Sequence, residues 1–326
     1  MAKKSLTTDD LIRVVKRKSF IPTDDDAYTN EDLIEMLDNE TDVFLVPHLL
    51  SRYEEYLVYT IDVPIVSGTL AYEIPYRAVG NKLRDIFYVE NADLALPSQL
   101  IREMYRVDAS EVYAYQGGNT ESSWGEVGFN YFVRNNKVNL LSDLTNTDGV
   151  LRMEFYMQPS NLVLEKDAGK ITAIDRNTGI LTLSNFPTAF STLPNTGCDF
   201  VKFRSPNCIV GWDKTVTSVS SSAKTITLPV ASIPDDLIVG DYICFPQQTP
   251  IPNVPSEMHS VLAQLVSISI LEGLDDEQAK QSAERQLAKM EKSLSTIIDD
   301  RVDGSNKKIV NRHSTLGQGL GFRNKF

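Results

Sequence analysis

The chain has 326 residues, 42% hydrophobic and 23% charged, a balance that buries a core and at this length fills two or three packed units. Its 32 basic and 44 acidic residues give a net charge of −12, which excludes a general nucleic-acid binder, since that activity needs a positive face that releases counterions. No run of about 18 apolar residues is present for a membrane helix, and Met1–Asp10 lacks the apolar stretch of a signal peptide, so the expectation is a protein that stays where it is made.

In chain order, Thr7 or Thr8 suits an N-cap, with Asp9 and Asp10 in the first turn and Leu11, Ile12, Val14 and Val15 as the apolar face of a short helix. Pro22 and the run Asp24, Asp25 and Asp26 make a loop. Thr29 with Asp32 approximates a capping box for a second helix, whose apolar positions run from Leu33 to Leu57 and which Pro47 is expected to break or kink. From about residue 60 the periodicity changes to two, with short β runs at 70–74, 83–89, 129–133, 138–141 and 150–156. Asn135-Asn136 tolerates the positive φ of a hairpin turn between Tyr131 and Leu140. Pro97–Met104 reads as the start of a short helix.

An internal repeat follows. Ile171–Leu183 aligns without a gap on Val216–Leu228, each copy a strand, a polar turn and a strand, and Gly197–Phe203 echoes Gly240–Phe245 as a third strand. Two such units bury their faces by closing on each other as a small barrel or sandwich. Pro246, Pro250, Pro252 and Pro255 then stop the β pattern. Ser256 is expected to cap a helix that ends at Gly273, and Ala279, Ala283, Leu287, Met290, Leu294, Ile297 and Ile298 mark one face of a final helix. The expected fold is α+β: a helical bundle formed by N- and C-terminal helices, an inserted β region containing the repeat-built barrel or sandwich, and an extended C-terminal arm. The units are 1–60 (N-terminal helices), 61–165 (β-rich insert), 166–250 (repeat), 251–304 (helical hairpin) and 305–326 (basic arm).

Groups that carry chemistry are sparse. Cys198, Cys208 and Cys244 have no metal-type spacing and read as reduced thiols of core or strand. His48, His259 and His313 fall in three separate segments, which argues against a zinc or catalytic-histidine site. Asp24-Asp25-Asp26 lacks the glycine and terminal glutamate of a calcium loop. Gly317-Gln318-Gly319-Leu320-Gly321 has no following helix to aim amides at a pyrophosphate. The loop Gly117–Gly125 carries Trp124, better read as a hairpin tip than as a partner contact. No catalytic residue, cofactor site or metal site is assigned, and the expectation is that the protein is not an enzyme.

Residues 306–326 hold five basic residues and no acid, leaving 27 basic against 44 acidic residues, a net −17, in the body. An ordinary chain terminus is a solubilising tail. Ile309, Val310, Leu316, Leu320, Phe322 and Phe326 depart from that, since burying each is worth roughly 1.5–3 kcal/mol. Glycine hinges, apolar pegs and positive charge suit docking along an acidic groove of a partner. The candidate partner-binding residues are therefore Lys307, Lys308, Arg312, Leu316, Leu320, Phe322, Arg323 and Phe326, on an arm expected to stay loose until it docks.

The run Pro250-Ile251-Pro252-Asn253-Val254-Pro255-Ser256-Glu257-Met258-His259, then Ile297–Gly304 and the basic arm, resembles the head-to-tail adaptor, or neck connector, proteins of tailed and especially short-tailed bacteriophages. Tyr131–Leu141, Gly149–Tyr156 with Pro159, and the openings Thr7–Ile12 and Thr29–Ile34 are similar to neck sequences too. The resemblance implies a structural virion protein forming a homo-oligomeric ring, usually a dodecamer, below the portal. It would continue the DNA channel without specific DNA binding, offer a surface to the next neck or tail ring protein, and send its arm up to the portal protein. It implies synthesis in the host cytoplasm, a place in the virion between capsid and tail, and no membrane partner. The alternative is a tail component whose β domains bind a receptor or glycan. An enzyme acting through paired acids is a weaker third reading, because no spacing selects a pair.

Overall fold

The computed structural model describes residues 5–22, 28–90, 101–110, 112, 130–141, 149–204 and 208–297. Helix α1 (Thr8–Lys18) starts where Thr7 accepts from the Asp10 N–H, with acids in its first turn and Lys16, Arg17 and Lys18 in its last, both favourable to the dipole. Helix α2 (Asn30–Glu40) starts on the Thr29–Asp32 capping box. The regular α-helix is interrupted just ahead of Pro47, which stands in the first turn of α3 (Val46–Arg52). A π-helical segment, Thr41–Leu45, widens the turn so that the Val46 N–H reaches back to the Thr41 carbonyl. The extra residue gives the proline ring room where a regular α-turn would clash.

Eight strands follow: β1 (Val58–Pro64), β2 (Ala71–Glu73), β3 (Ala78–Glu90), β4 (Ile101–Glu103), β5 (Tyr105–Arg106), β6 (Asn130–Arg134), β7 (Lys137–Leu140) and β8 (Gly149–Met157). They form two four-stranded sheets, ordered β1-β8-β3-β4 and β2-β7-β6-β5. Ile86, Leu151, Met153 and Phe155 of the first meet Tyr72, Val138 and Leu140 of the second in one core. Residues 101–103, expected to be helical, are strand β4, and Met104 is buried where the chain crosses to the other sheet. Asn135 and Asn136 both take positive φ in the β6–β7 turn, as their chemistry suggests.

Nine further strands are β9 (Asn161–Leu162), β10 (Gly169–Asp175), β11 (Ile180–Leu183), β12 (Cys198–Val201), β13 (Ile209–Lys214), β14 (Ser218–Ser220), β15 (Thr225–Thr227), β16 (Tyr242–Cys244) and β17 (Gln248–Thr249). Strands β9 and β17 pair in parallel, and the other seven make one antiparallel sheet ordered β13-β12-β16-β10-β11-β15-β14. Its two outermost strands, β13 and β14, are consecutive in the chain, so the sheet curls around a core of Leu181, Phe190, Phe200, Ile226 and Ile243. The repeat sets the register. Leu181 lies opposite its equivalent Ile226, and Phe200 opposite its equivalent Ile243. The Leu228 N–H donates to the Gly179 carbonyl and the Leu183 N–H to the Lys224 carbonyl, both at 2.9 Å. An approximate twofold axis therefore passes through the sheet.

Helix α4 (His259–Gly273) is apolar nearly all round and correspondingly buried, and α5 (Glu277–Ile297) runs back beside it. Ser256 does not cap α4; its hydroxyl donates to Glu257, and Met258 occupies the cap position without a side-chain bond. Nor does Gly273 supply the stop. Asp275 takes the left-handed conformation (φ 58°), its N–H bonding Glu272 and that of Asp276 bonding Leu271, after which the Asp276 carboxylate receives the Ala279 N–H of α5.

The expected α+β plan, with a helical bundle from the N- and C-terminal helices carrying a β insert, is overturned. The protein is mixed α/β, mostly strands in four sheets. The helices do not complete a core among themselves: Tyr156, Leu162 and Leu164 from the β region share it with Leu11, Leu33, Leu37 and Leu262. The repeat, expected as a small barrel or sandwich of two units, forms one seven-stranded sheet that both copies share. The extended arm of that plan lies outside the described residues.

Candidate functional site

Among the described residues, no group of three or more His, Cys, Asp or Glu side chains is placed to hold a metal ion. His48 on α3 stacks on Phe44, with ring centroids 6.1 Å apart; burial and Arg52 lower its pKa, and Glu291 of α5 opposes them. His259 is fully buried. Its Nδ1 accepts the Leu6 N–H at 3.1 Å, which leaves Nε2 to donate to the Val254 carbonyl at 3.2 Å. That ring thereby ties the segment before α1 to the proline-rich joint. Cys198 and Cys244 are buried in β12 and β16 and Cys208 is half-buried, and burial pushes all three thiols up, away from reactivity. His313, Asp24–Asp26, Gly117–Gly125 with Trp124, and Gly317–Gly321 lie outside the described residues.

The strongest electrostatic feature sits between the second and third units. Arg77, just before β3, is 3% exposed and grips the fully buried Asp199 of β12 through two nitrogens, at 2.7 and 3.0 Å. It also reaches Asp213 at 2.6 Å, and Tyr76 donates to the same Asp213 oxygen at 2.7 Å. Asp199 accepts two further N–H groups, from Asp213 and Gln247, at 2.9 Å. Burial alone would lower the Arg77 pKa, but Asp199, Tyr76 and Asp213 outweigh it and hold the guanidinium above its usual range. Arg77, Asp199 and Asp213 are paired with one another, so the cluster fastens two sheets together.

An open groove lies elsewhere, along α5. The positions Gln278, Ser282, Gln286, Lys289, Met290 and Ser293 form one stripe beside α4 and line a groove in two halves that meet at Gln286. The half towards the start of α5, about 490 Å³, also touches Arg17, Lys18 and Phe20, an aromatic ring left 80% exposed. The other half, about 410 Å³, has Val261, Met290 and Leu294 as its floor and Glu257 on its rim. Helix α5 is fastened from within: Lys18 donates to Gln264 at 2.6 Å, and Gln264 donates to the Ala283 carbonyl at 3.1 Å.

The eight residues picked from the sequence, Lys307, Lys308, Arg312, Leu316, Leu320, Phe322, Arg323 and Phe326, lie outside the described residues. Sequence reasoning missed both the Arg77 cluster and the α5 groove. A signal existed for the first, since Asp199 interrupts the otherwise apolar run Cys198-Asp199-Phe200-Val201 of a wholly buried strand. The chain matches no protein-family model, and no curated relative is similar to it at a significant level.

Proposed function

We propose that this protein is a structural, non-enzymatic virion component: a head-to-tail adaptor that forms a ring below the portal of a tailed bacteriophage and continues its DNA channel. The observation that carries the reading is the opposition between an acidic body, net −17, and residues 306–326, which hold five bases, no acid and large apolar pegs. Such an arm grips a protein groove, while a like-charged body lets DNA slide past without binding. In support of an assembly role, the buried Arg77–Asp199 pair is consumed in fastening two units to one another. Lys307, Lys308, Arg312, Leu316, Leu320, Phe322, Arg323 and Phe326 carry the portal contact in this reading.

The receptor- or glycan-binding alternative draws less support. Sugar recognition uses exposed aromatic faces; among the described residues the repeat sheet exposes Ile180, Val230, Ile238 and Val239, and the upstream β region offers only two aromatic positions, well separated in sequence, Tyr76 and Tyr105. Negative-stain electron microscopy of the protein alone and mixed with its phage's portal tests the proposal. Ring-on-ring particles in the mixture are expected; a mixture showing only bare portals would sink it.

A further inference from the structure

Ile309 and Val310 are two apolar anchors that the portal contact does not use. They stand beside Lys307 and Lys308 and follow Ile297, the end of α5, by a linker of residues 298–308. At roughly 3.3 Å per residue this linker spans up to about 36 Å. Met290 lies only about 10 Å back along the helix axis. The chain leaving α5 therefore has ample length to turn and reach the groove half that ends at Ser293 and Leu294.

We propose that Ile309 and Val310 seat in the groove of their own chain, against Val261, Met290 and Leu294, making an intramolecular clip that roots the arm and leaves Lys307, Lys308, Arg312 and the stretch Leu316–Phe326 to a partner. Three observations converge on this occupant. The groove opens at the last turns of the helix from which the segment departs, and its volume of about 410 Å³ accommodates two aliphatic side chains. Its floor is apolar, and its walls carry one acid, Glu257, and one base, Lys289, so the match rests on apolar surface and not on charge. The tether raises the local concentration of Ile309 and Val310 to the order of millimolar, which favours the chain's own segment over that of another copy. The clip does not depend on the neck reading, since both sides of the contact belong to one chain.

Hydrogen exchange at residues 258–262 and 286–294 tests the clip in the full-length protein, in a variant lacking residues 313–326, and in the double variant Ile309→Asp, Val310→Asp. The first two should exchange alike, and the double variant about tenfold faster at these amides, at every protein concentration. Unchanged exchange in the double variant overturns the clip. Protection that grows with protein concentration overturns it too, by placing the segment in another copy's groove. Portal binding measured on the same double variant separates the two claims, because the neck reading survives the loss of the clip if that binding persists.

Discussion

The two copies of the β repeat share a backbone plan and differ in how they are fastened. At equivalent turns Gly179 and Lys224 both take positive φ, 75° and 52°, yet only the first is crowded: a Cβ on Gly179 would lie 2.1 Å from the Leu228 carbonyl oxygen. In the third strands, Asp199 of the first copy is locked to Arg77 of the upstream sheets, whereas its equivalent Tyr242 donates its hydroxyl to Glu165, whose own N–H reaches Asp9 at the start of α1. One pseudosymmetric sheet is thus tied by its two halves to two different neighbours. The shared pattern sets the strands, and single differences at matched positions set the attachments.

Arg77→Met breaks the comparison most severely. It leaves Asp199 buried without its partner and should cost about 3–5 kcal/mol in denaturant unfolding, part of which Asp199→Asn restores in the double variant. Tyr242→Phe on the other side removes one hydroxyl bond and should cost only about 1 kcal/mol. Equal losses would mean that the two attachments are equivalent after all. Next in size are the turns. Gly179→Ala should cost about 2 kcal/mol or more, because it adds a backbone clash to a strained φ, while Lys224→Gly should be stabilising by up to about 1 kcal/mol. Thermal shifts of the same sign in both variants would contradict the account of the turns.

The smallest effect concerns a third attachment, where Asp38 of α2 accepts the Leu162 N–H of β9 at 2.9 Å. Burial, assisted by Asp42 and opposed by that hydrogen bond, raises Asp38 from 3.8 to about 6. Between these values the folded state holds a proton that the unfolded chain lacks, so stability falls as pH rises through the window. Asp38→Asn keeps an acceptor and removes the titration. With solvent screening discounted, it should add about 1 kcal/mol at pH 8 and nothing at pH 4. A gain that persists at pH 4 would assign the effect to something other than the charge.

Local patterns were legible in the sequence and distant ones were not. The Thr29–Asp32 capping box, the Asn135-Asn136 turn and the repeat all follow from neighbouring residues or from self-similarity, and each stands in the fold. Gly273 misled because Asp275, two residues on, takes the left-handed position instead. Residues 101–103 carry no strong strand pattern; pairing with β3 decides their conformation. Arg77 meets Asp199 and Asp213 across more than a hundred residues, a separation that no local pattern spans. The helices looked self-sufficient because apolar stripes do not say which surface covers them, and Tyr156, Leu162 and Leu164 turned out to share their core.

The central claim is that an acidic body works through a basic, apolar-pegged arm, and one comparison tests it directly. Affinity for isolated portal should be measured for the intact protein and for a variant lacking residues 306–326, at two salt concentrations. The account predicts binding by the intact protein that weakens with salt, and at least a hundredfold loss on removing the arm, in line with several buried pegs and charge contacts. Equal affinity with and without these residues would contradict it.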